Sequence, residues 1–225
     1  MDTPEERGGR QIGRIEMKGM LPRVFVSEKI PPSDVWRHDV AFERGKFYLV
    51  EAASGGGKSS MCAYIFGART DYEGRLLFDG EDAAGISMAG WQALRRRNIA
   101  YLPQELSLFP ELTAWENIQL KNRVTGYASD KMVERWFEQL GIASRRDYPA
   151  GRMSIGQQQR VAIIRSVCQP FDFILLDEPV SHLDEDNNRI AATIIAEEAR
   201  RQGAGVISTS VGNHILLDYN ERLRL

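Results

Sequence analysis

The sequence predicts an α/β fold with a mainly parallel sheet, an antiparallel β layer near the N-terminus and an inserted helical lobe. Short apolar runs alternate with helical stretches along most of the chain, which is the pattern of a parallel sheet covered by helices. Before residue 47, prolines interrupt the short strands, which favours an edge layer. Between Gln104 and Ser154 the pattern becomes helical, which indicates the inserted lobe.

The same patterns predict how the chain is divided. The polar residues 1–14 are predicted to form a flexible tail. Residues 15–225 are predicted to form a single domain, with residues 15–104 and 156–225 as the core with its β layer and residues 105–155 as the helical lobe. A chain of 225 residues is long enough for one such domain with an insertion.

Apolar runs and helix caps indicate the individual elements. Strands of the parallel sheet are predicted near residues 47–52, 75–78, 98–102, 173–177 and 205–209. Two capping boxes predict helix starts, one formed by Thr113 and Glu116 and the other by Ser154 and Gln157. Four apolar residues at helical spacing end at Gly141 and predict a further helix: Val133, Trp136, Phe137 and Leu140. We interpret this stripe as core.

A glycine-rich string, Ala-Ala-Ser-Gly-Gly-Gly-Lys-Ser at residues 52–59, lies between a predicted strand and a predicted helix start. Backbone N–H groups of such a loop wrap phosphates, and the helix N-terminus adds its positive dipole end. Lys58 is predicted to reach the β- and γ-phosphates, and Ser59 to hold Mg²⁺. A glycine-rich turn with a chance lysine is the alternative. The predicted nucleotide-binding residues here are Ser54, Gly55, Gly56, Gly57, Lys58, Ser59 and Ser60.

Two adjacent carboxylates follow the apolar run Phe-Ile-Leu-Leu at residues 173–176. Ligands of open α/β sheets bind at the carboxyl ends of the strands, where Asp177 and Glu178 stand. Carboxylates at the end of a buried strand indicate that they bind a cation or activate a reacting water molecule. Asp177 is predicted to steady Mg²⁺ through water, and Glu178 to act as the general base for the attacking water. Two solvated acids at a strand end are the alternative.

Further motifs narrow the class of protein. The string Ser-Ile-Gly-Gln-Gln-Gln-Arg at residues 154–160 resembles the signature motif of ABC-type ATPases, and the match continues to residue 184. Residues 99–118 are similar to the glutamine loop of that family and the helix after it, with Gln104 in the glutamine position. The resemblance runs from about Ile15 to the C-terminus and is closest to the lipoprotein-releasing and macrolide-export type.

The resemblance implies an ATPase that uses ATP and Mg²⁺. It implies roles for Gln104 at the metal and in catalysis, and for Ser154, Gly156 and Gln157 at the nucleotide of a second subunit. Capping alone would explain Ser154 and Gln157. Gly156 is a poor helix former in a first turn, and we interpret it as allowing close approach of a phosphate. The implied partners are a second ATPase subunit, as homodimer or heterodimer, and a separate transmembrane permease whose short helix docks beside the glutamine loop.

The sequence departs from the family pattern in three motifs. Ala52 replaces the first glycine of the phosphate loop, and Ile155 replaces the second residue of the signature that is usually glycine. Ser210 occupies the position of the switch histidine, so it is the predicted γ-phosphate contact there, as a neutral donor only. His214 is the alternative switch residue. Phe25 is the first candidate for stacking on adenine, and Trp36 the second.

Composition bounds the remaining functions. The formal net charge of −2 indicates neither nucleic acid nor an anionic membrane surface as a partner. Cys62 and Cys168 are predicted to be small core residues in a reducing compartment. The polar start of the sequence predicts no secretory leader, and no apolar run approaches the ~20 residues that span a bilayer. The expected location is therefore cytoplasmic, on the inner face of the membrane through the permease.

Three hypotheses about function remain open. The chain is an ATPase subunit of a membrane transporter, for which Glu178 is the favouring feature. Alternatively it is a nucleotide-binding accessory or switch subunit that hydrolyses ATP weakly, as Ser210 and Ile155 would favour. A soluble ABC-type ATPase without a transport role is the third. The sequence does not identify a transported substrate.

Overall fold

The computed structural model describes residues 11–27 and 30–225, which form two sheets and six α-helices within those ranges. The strands are β1 (Arg14–Pro22), β2 (Asp39–Glu43), β3 (Phe47–Glu51), β4 (Tyr72–Phe78), β5 (Glu81–Asp82), β6 (Ile99–Leu102), β7 (Phe173–Asp177), β8 (Gly205–Ser210) and β9 (Glu221–Arg224). The helices are α1 (Lys58–Ile65), α2 (Met88–Arg97), α3 (Ala114–Thr125), α4 (Asp130–Gln139), α5 (Ile155–Val167) and α6 (Glu185–Gln202).

The larger sheet is parallel throughout, with the strand order β6-β7-β8-β3-β9. All five residues of β7 are buried, because the sheet has a hydrophobic core on each face. Phe173 and Leu175 pack into the core shared with α1 and the antiparallel sheet. Ile174 and Leu176 pack into the core shared with α3 to α6. This alternation explains why β7 is an uninterrupted apolar run in the sequence.

The smaller sheet is antiparallel, with the order β2-β1-β4-β5, and confirms the predicted β layer. The prediction that residues 75–78 belong to the parallel sheet was wrong, because β4 pairs with β1, as in Ile15 opposite Phe78. The last three residues of β4 are all buried, so they have the apolar pattern of a central strand. Strand β9 was not predicted, because its polar sequence, Glu-Arg-Leu-Arg, buries only Leu223.

The boundary of the N-terminal segment also differs from the prediction. Of the predicted tail, residues 1–10 lie outside the described residues. Ile12 is buried, its N–H donates to the Asp172 carboxylate at 2.8 Å, and Arg14 begins β1. Asp172 is itself buried and faces the Arg44 guanidinium at 3.2 Å. An apolar side chain and a charge-assisted hydrogen bond therefore hold this segment against the sheet.

Residues 105–155 contain α3 and α4, followed by 3₁₀ turns at Ala143–Arg145 and Ala150–Arg152. Both predicted capping boxes are confirmed, at Thr113 with Glu116 and at Ser154 with Gln157. The predicted apolar stripe is buried along α4 and reaches Gly141, whose φ is +65°. In the described part of the chain, no helix is both long and apolar enough to cross a membrane.

Candidate functional site

The glycine-rich loop connects β3 to α1 and is shaped by backbone conformations that require glycine. Gly55 and Gly57 have φ of +83° and +93°, which other residues adopt only with strain. A Cβ atom on Gly57 would also lie 3.0 Å from Trp36 Cζ2 and 3.1 Å from Phe25 Cε2. Ala52 is not among the left-handed residues of the described chain, so alanine fits in place of the usual first glycine.

Lys58 begins α1 with its ammonium group buried beneath this loop. Its Nζ donates to the backbone oxygens of Ala52 at 3.3 Å and Ala53 at 3.1 Å, and it lies 3.5 Å from Glu178 Oε1. The side chain is only 5% exposed, so these three oxygens, rather than water, compensate its positive charge. A phosphate that enters the loop can replace the carboxylate as the partner of Lys58.

Asp177 and Glu178 lie at the carboxyl end of β7, beside Thr209 of β8. The Thr209 hydroxyl donates to Asp177 Oδ1 at 2.7 Å, and Thr209 Oγ1 in turn accepts the Glu178 N–H at 3.2 Å. Asp177 Oδ2 is buried and has no hydrogen-bond partner. A buried carboxylate oxygen without a partner is costly, and it is the group that a divalent cation would satisfy. Glu178 has a φ of +50°, a strained conformation of the kind that concentrates at functional sites.

Gln104 follows β6 and meets the phosphate loop at Ser59. The Ser59 hydroxyl donates to Gln104 Oε1 at 3.4 Å, so the loop and the glutamine segment share one edge of the sheet. One turn further along α1, burial and then the charge of Asp177 raise the pKa of the Cys62 thiol. The Asp177 carboxylate is thus close enough to Cys62 of α1 to influence its ionisation. Hydroxyl, amide and carboxylate oxygens are ligands suited to Mg²⁺. Within residues 11–27 and 30–225 there is no group of three or more His, Cys, Asp or Glu side chains that could hold a metal.

The predicted signature residues lie at the start of α5, apart from the phosphate loop. Ser154 Oγ accepts the Gln157 N–H at 3.3 Å, and Gln157 Oε1 accepts the Ser154 N–H at 3.1 Å. Ile155 is 49% exposed at this end of the helix. Among the described residues, no hydrogen bond joins residues 154–157 to residues 52–59. The structure thus brings the phosphate loop, the two acids and Gln104 together, and leaves the signature outside that group.

Gly156 has a reason to be glycine that the sequence did not suggest. A Cβ atom there would lie 2.9 Å from the backbone oxygen of His182, in the turn between β7 and α6. We predict that Gly156→Ala lowers the free energy of unfolding by about 1–3 kcal/mol, because this turn must move to relieve the overlap. Urea denaturation measures the effect.

Gly85→Ala is the matched control, because a Cβ atom there has no neighbour within 4 Å and should leave stability near that of the parent. Equal midpoints for Gly156→Ala and the parent would show that the contact with His182 does not require glycine. The close approach of a phosphate would then be the remaining explanation.

Ser210 ends β8 next to the phosphate loop. It is fully buried, its hydroxyl donates to the Asn213 backbone oxygen at 2.9 Å, and its own carbonyl accepts the Ala52 N–H at 3.2 Å. His214, the alternative switch residue, packs its ring against Tyr219 with centroids 5.9 Å apart. The His214 carbonyl accepts a hydrogen bond from Asn188 of α6. His214 is therefore held by neighbours of its own.

The two candidate aromatic residues both lie against the phosphate loop, at Gly57. Trp36 is 3% exposed, and its indole N–H donates to the Gly56 oxygen at 3.0 Å, so it supports the loop from beneath. Phe25, in the 3₁₀ turn Arg23–Phe25, is only partly buried. Of the two, Phe25 is the less buried.

Two residues of this region were missed in the sequence. Thr209 contacts both acids; its sequence signal was its place at the end of the strand predicted near residues 205–209, and only the structure shows its register opposite Asp177. Gln159 joins α5 to the turn after β7: its Nε2 donates to the Pro179 oxygen at 2.6 Å, and its Oε1 accepts the His182 N–H at 2.9 Å. Its signal in the sequence was weak, because three consecutive glutamines are typical of the exposed face of a helix.

A glycine-rich loop after one parallel strand and two acids after another define a phosphate-loop nucleotide-binding protein. Residues 37–181 match the profile of the family described as ABC transporter. The chain belongs to this family of ABC transporter ATP-binding proteins, in which ATP hydrolysis is general. The resemblance to ABC-type ATPases is thereby confirmed.

Individual relatives agree with this assignment. The chain is 30% identical to an uncharacterized ABC transporter ATP-binding protein, YclH, of Bacillus subtilis, over 82% of this chain and 83% of that one. It is 35% identical to the lipoprotein-releasing system ATP-binding protein LolD of Roseobacter denitrificans, over 76% of each. A solved structure described as the dimeric structure of MJ0796, a bacterial ABC transporter cassette, is similar with a TM-score of 0.70 and 25% identity, over 87% of each chain.

Proposed function

We propose that this chain is the ATP-binding and ATP-hydrolysing subunit of an ABC transporter, which closes as a dimer around ATP and thereby drives a separate membrane permease. The observation that carries the proposal is the meeting of three groups at one sheet edge. These are the Lys58 ammonium, the Glu178 carboxylate 3.5 Å from it, and the partnerless oxygen of the buried Asp177.

In this proposal ATP binds in the phosphate loop, and its phosphates replace the Glu178 carboxylate as the ion-pair partner of Lys58. Backbone N–H groups of residues 54–60 bind the phosphate oxygens. Ser59, Gln104 and Asp177 would hold Mg²⁺, which neutralises developing charge on the phosphates. Glu178, released from Lys58, accepts the proton of the attacking water. Phe25, the less buried of the two aromatic candidates, stacks on the adenine ring.

The dimer is proposed because the signature residues 154–157 make no hydrogen bond to the phosphate loop of their own chain among the described residues. Ser154, Gly156 and the start of α5 offer a hydroxyl and backbone N–H groups to an anion. A second subunit, identical or different, would bring its nucleotide to them. The dimeric cassette among the similar structures supports this arrangement.

A cleft of about 430 Å³ beside the glutamine segment is the proposed docking site of the permease. Its lining includes Phe66, Tyr101, Pro103, Phe109 and Leu120. Phe109 is 54% exposed, whereas Leu106 and Leu108 of the same segment pack into the core. A permease helix seated there would hold the chain on the inner face of the membrane.

The rim of this cleft is held in place by Arg165. Its guanidinium donates to the Ser107 oxygen at 2.7 Å and to the Leu106 oxygen, and these two residues have φ of +49° and +58°. Burial lowers the pKa of Arg165 and of Lys121, the other cation in the lining. Residues 106 and 107 are therefore held in one conformation, to which the permease helix would bind.

The second candidate function is a nucleotide-binding accessory subunit with weak hydrolysis. Ser210 favours it, because its hydroxyl proton is committed to Asn213 and serine carries no positive charge. Phosphate release distinguishes the two candidates.

We predict that the protein with Mg²⁺ and ATP releases phosphate, that EDTA stops the release, and that Asp177→Asn lowers it by about tenfold or more because one metal-facing charge is lost. Asp186→Asn, an exposed acid on α6, is the control and should hydrolyse ATP like the parent. ATP binding without phosphate release in the parent would contradict the hydrolytic role and favour the accessory subunit. Equal rates for Asp177→Asn and the parent would remove Asp177 from the metal site.

A further inference from the structure

We infer that His182 is a catalytic residue that acts on the nucleotide of the opposite subunit, where it provides the imidazole donor that Ser210 cannot provide. This inference rests on the proposed ATP-bound dimer. It concerns the turn of residues 179–182, which connects β7 to α6.

The first observation is that His182 and the signature form one surface. The backbone oxygen of His182 lies 2.9 Å from the position of a Cβ on Gly156, so the turn packs directly on the first turn of α5. Gln159 fixes this contact, because it bonds both Pro179 and the His182 N–H. A subunit that presents its signature to a γ-phosphate therefore presents His182 beside it.

The second observation is that the His182 ring is exposed and oriented. Its Nδ1 lies 3.0 Å from Ser181 Oγ, and that oxygen is 3.5 Å from Gln159 Nε2, which can only donate. Ser181 accepts from Gln159 and is thereby free to donate its own proton to Nδ1. In the tautomer that accepts this hydrogen bond at Nδ1, the ring carries its N–H donor at Nε2.

The third observation is that the other histidines do not fit this role. The sequence has three. His214 packs against Tyr219, and His38 lies in the antiparallel layer, where its carbonyl accepts the Gly19 N–H. His182 is the one that adjoins the signature. A donor aimed at developing charge on a transferring phosphate is worth about 10²–10³ in rate.

His182→Ala tests the inference, with His38→Ala as the control for loss of an exposed imidazole. We expect His182→Ala to release phosphate at least about tenfold more slowly, with an unchanged Kd for ATP, because the donor acts on charge that develops only in the transition state. Adding Ser210→His to His182→Ala should restore much of the rate, because an imidazole then reaches the same phosphate from the other side. An unchanged rate in His182→Ala, or a loss that Ser210→His does not restore, would overturn the inference.

Mixing two impaired variants tests whether His182 acts on the nucleotide of its own subunit or on that of the opposite subunit. In a mixed dimer of His182→Ala and Glu178→Gln, one of the two sites has both Glu178 and an opposite His182. Mixing should restore up to roughly a quarter of the parent rate, since half of randomly formed dimers are mixed and each has one complete site. Phosphate release no higher than that of the separate variants would contradict action on the opposite subunit. A parent that binds ATP but releases no phosphate would instead contradict the proposed function itself.

Discussion

Glu178→Gln is expected to lower phosphate release by about 10²–10⁴-fold, the range that a positioned general base supplies. The substitution keeps the size of the side chain and removes only its ability to accept a proton. Binding of ATP should persist and should strengthen, because a negative charge beside the γ-phosphate has been removed. Single-turnover phosphate release and an ATP titration measure the two effects separately.

Glu73→Gln is the matched control for Glu178→Gln, because Glu73 is an exposed acid on β4 outside the site. It should bind and hydrolyse ATP like the parent. A Glu178→Gln protein that hydrolyses ATP at the parent rate would show that another group activates the water. The ion pair with Lys58 would then be the remaining function of Glu178.

Lys58→Ala is expected to weaken ATP binding by at least about 1.5–3 kcal/mol, which is the scale of hydrogen bonds to charged groups. This corresponds to a rise of about ten- to 150-fold in the Kd. The reason is that Lys58 is the buried cation beneath the phosphate loop, while the backbone cradle of the loop remains. Isothermal titration with ATP gives the affinity.

Lys131→Ala, which removes an exposed cation from α4, should leave the affinity for ATP unchanged. Circular dichroism of Lys58→Ala guards against a folding defect, because the variant leaves Glu178 without its ion-pair partner. A folded Lys58→Ala protein with the parent affinity for ATP would refute the phosphate-loop assignment.

Much of the fold could be predicted because its signals are local. The buried run of β7, the capping boxes at Thr113 and Ser154 and the apolar stripe of α4 each specify an element from neighbouring residues. Strand pairing is not local. Residues 75–78 read as a central strand, and only their pairing with β1 reveals the antiparallel sheet. Strand β9 buries a single residue and has no pattern to read.

The candidate site was likewise predictable from the sequence only where its signals are local. The phosphate loop and the two acids were predictable, because each motif has its own strand and turn. Packing between distant segments produces the contact of Gly156 with His182, the two hydrogen bonds of Gln159 and the ion pair of Lys58 with Glu178. A sequence pattern does not record which segments will touch, so the contact of the His182 turn with α5 could not be predicted.

The central claim is that ATP brings two subunits together, with each nucleotide held between the phosphate loop of one and the signature of the other. Light scattering of Glu178→Gln with Mg²⁺ and saturating ATP tests it most directly, because this variant binds ATP without consuming it. We predict the mass of two copies with ATP and of one copy with ADP, and of one copy with ATP when Lys58→Ala is added. If the mass with ATP stays that of one copy while ATP is bound, closure of this chain on a second copy of itself is contradicted.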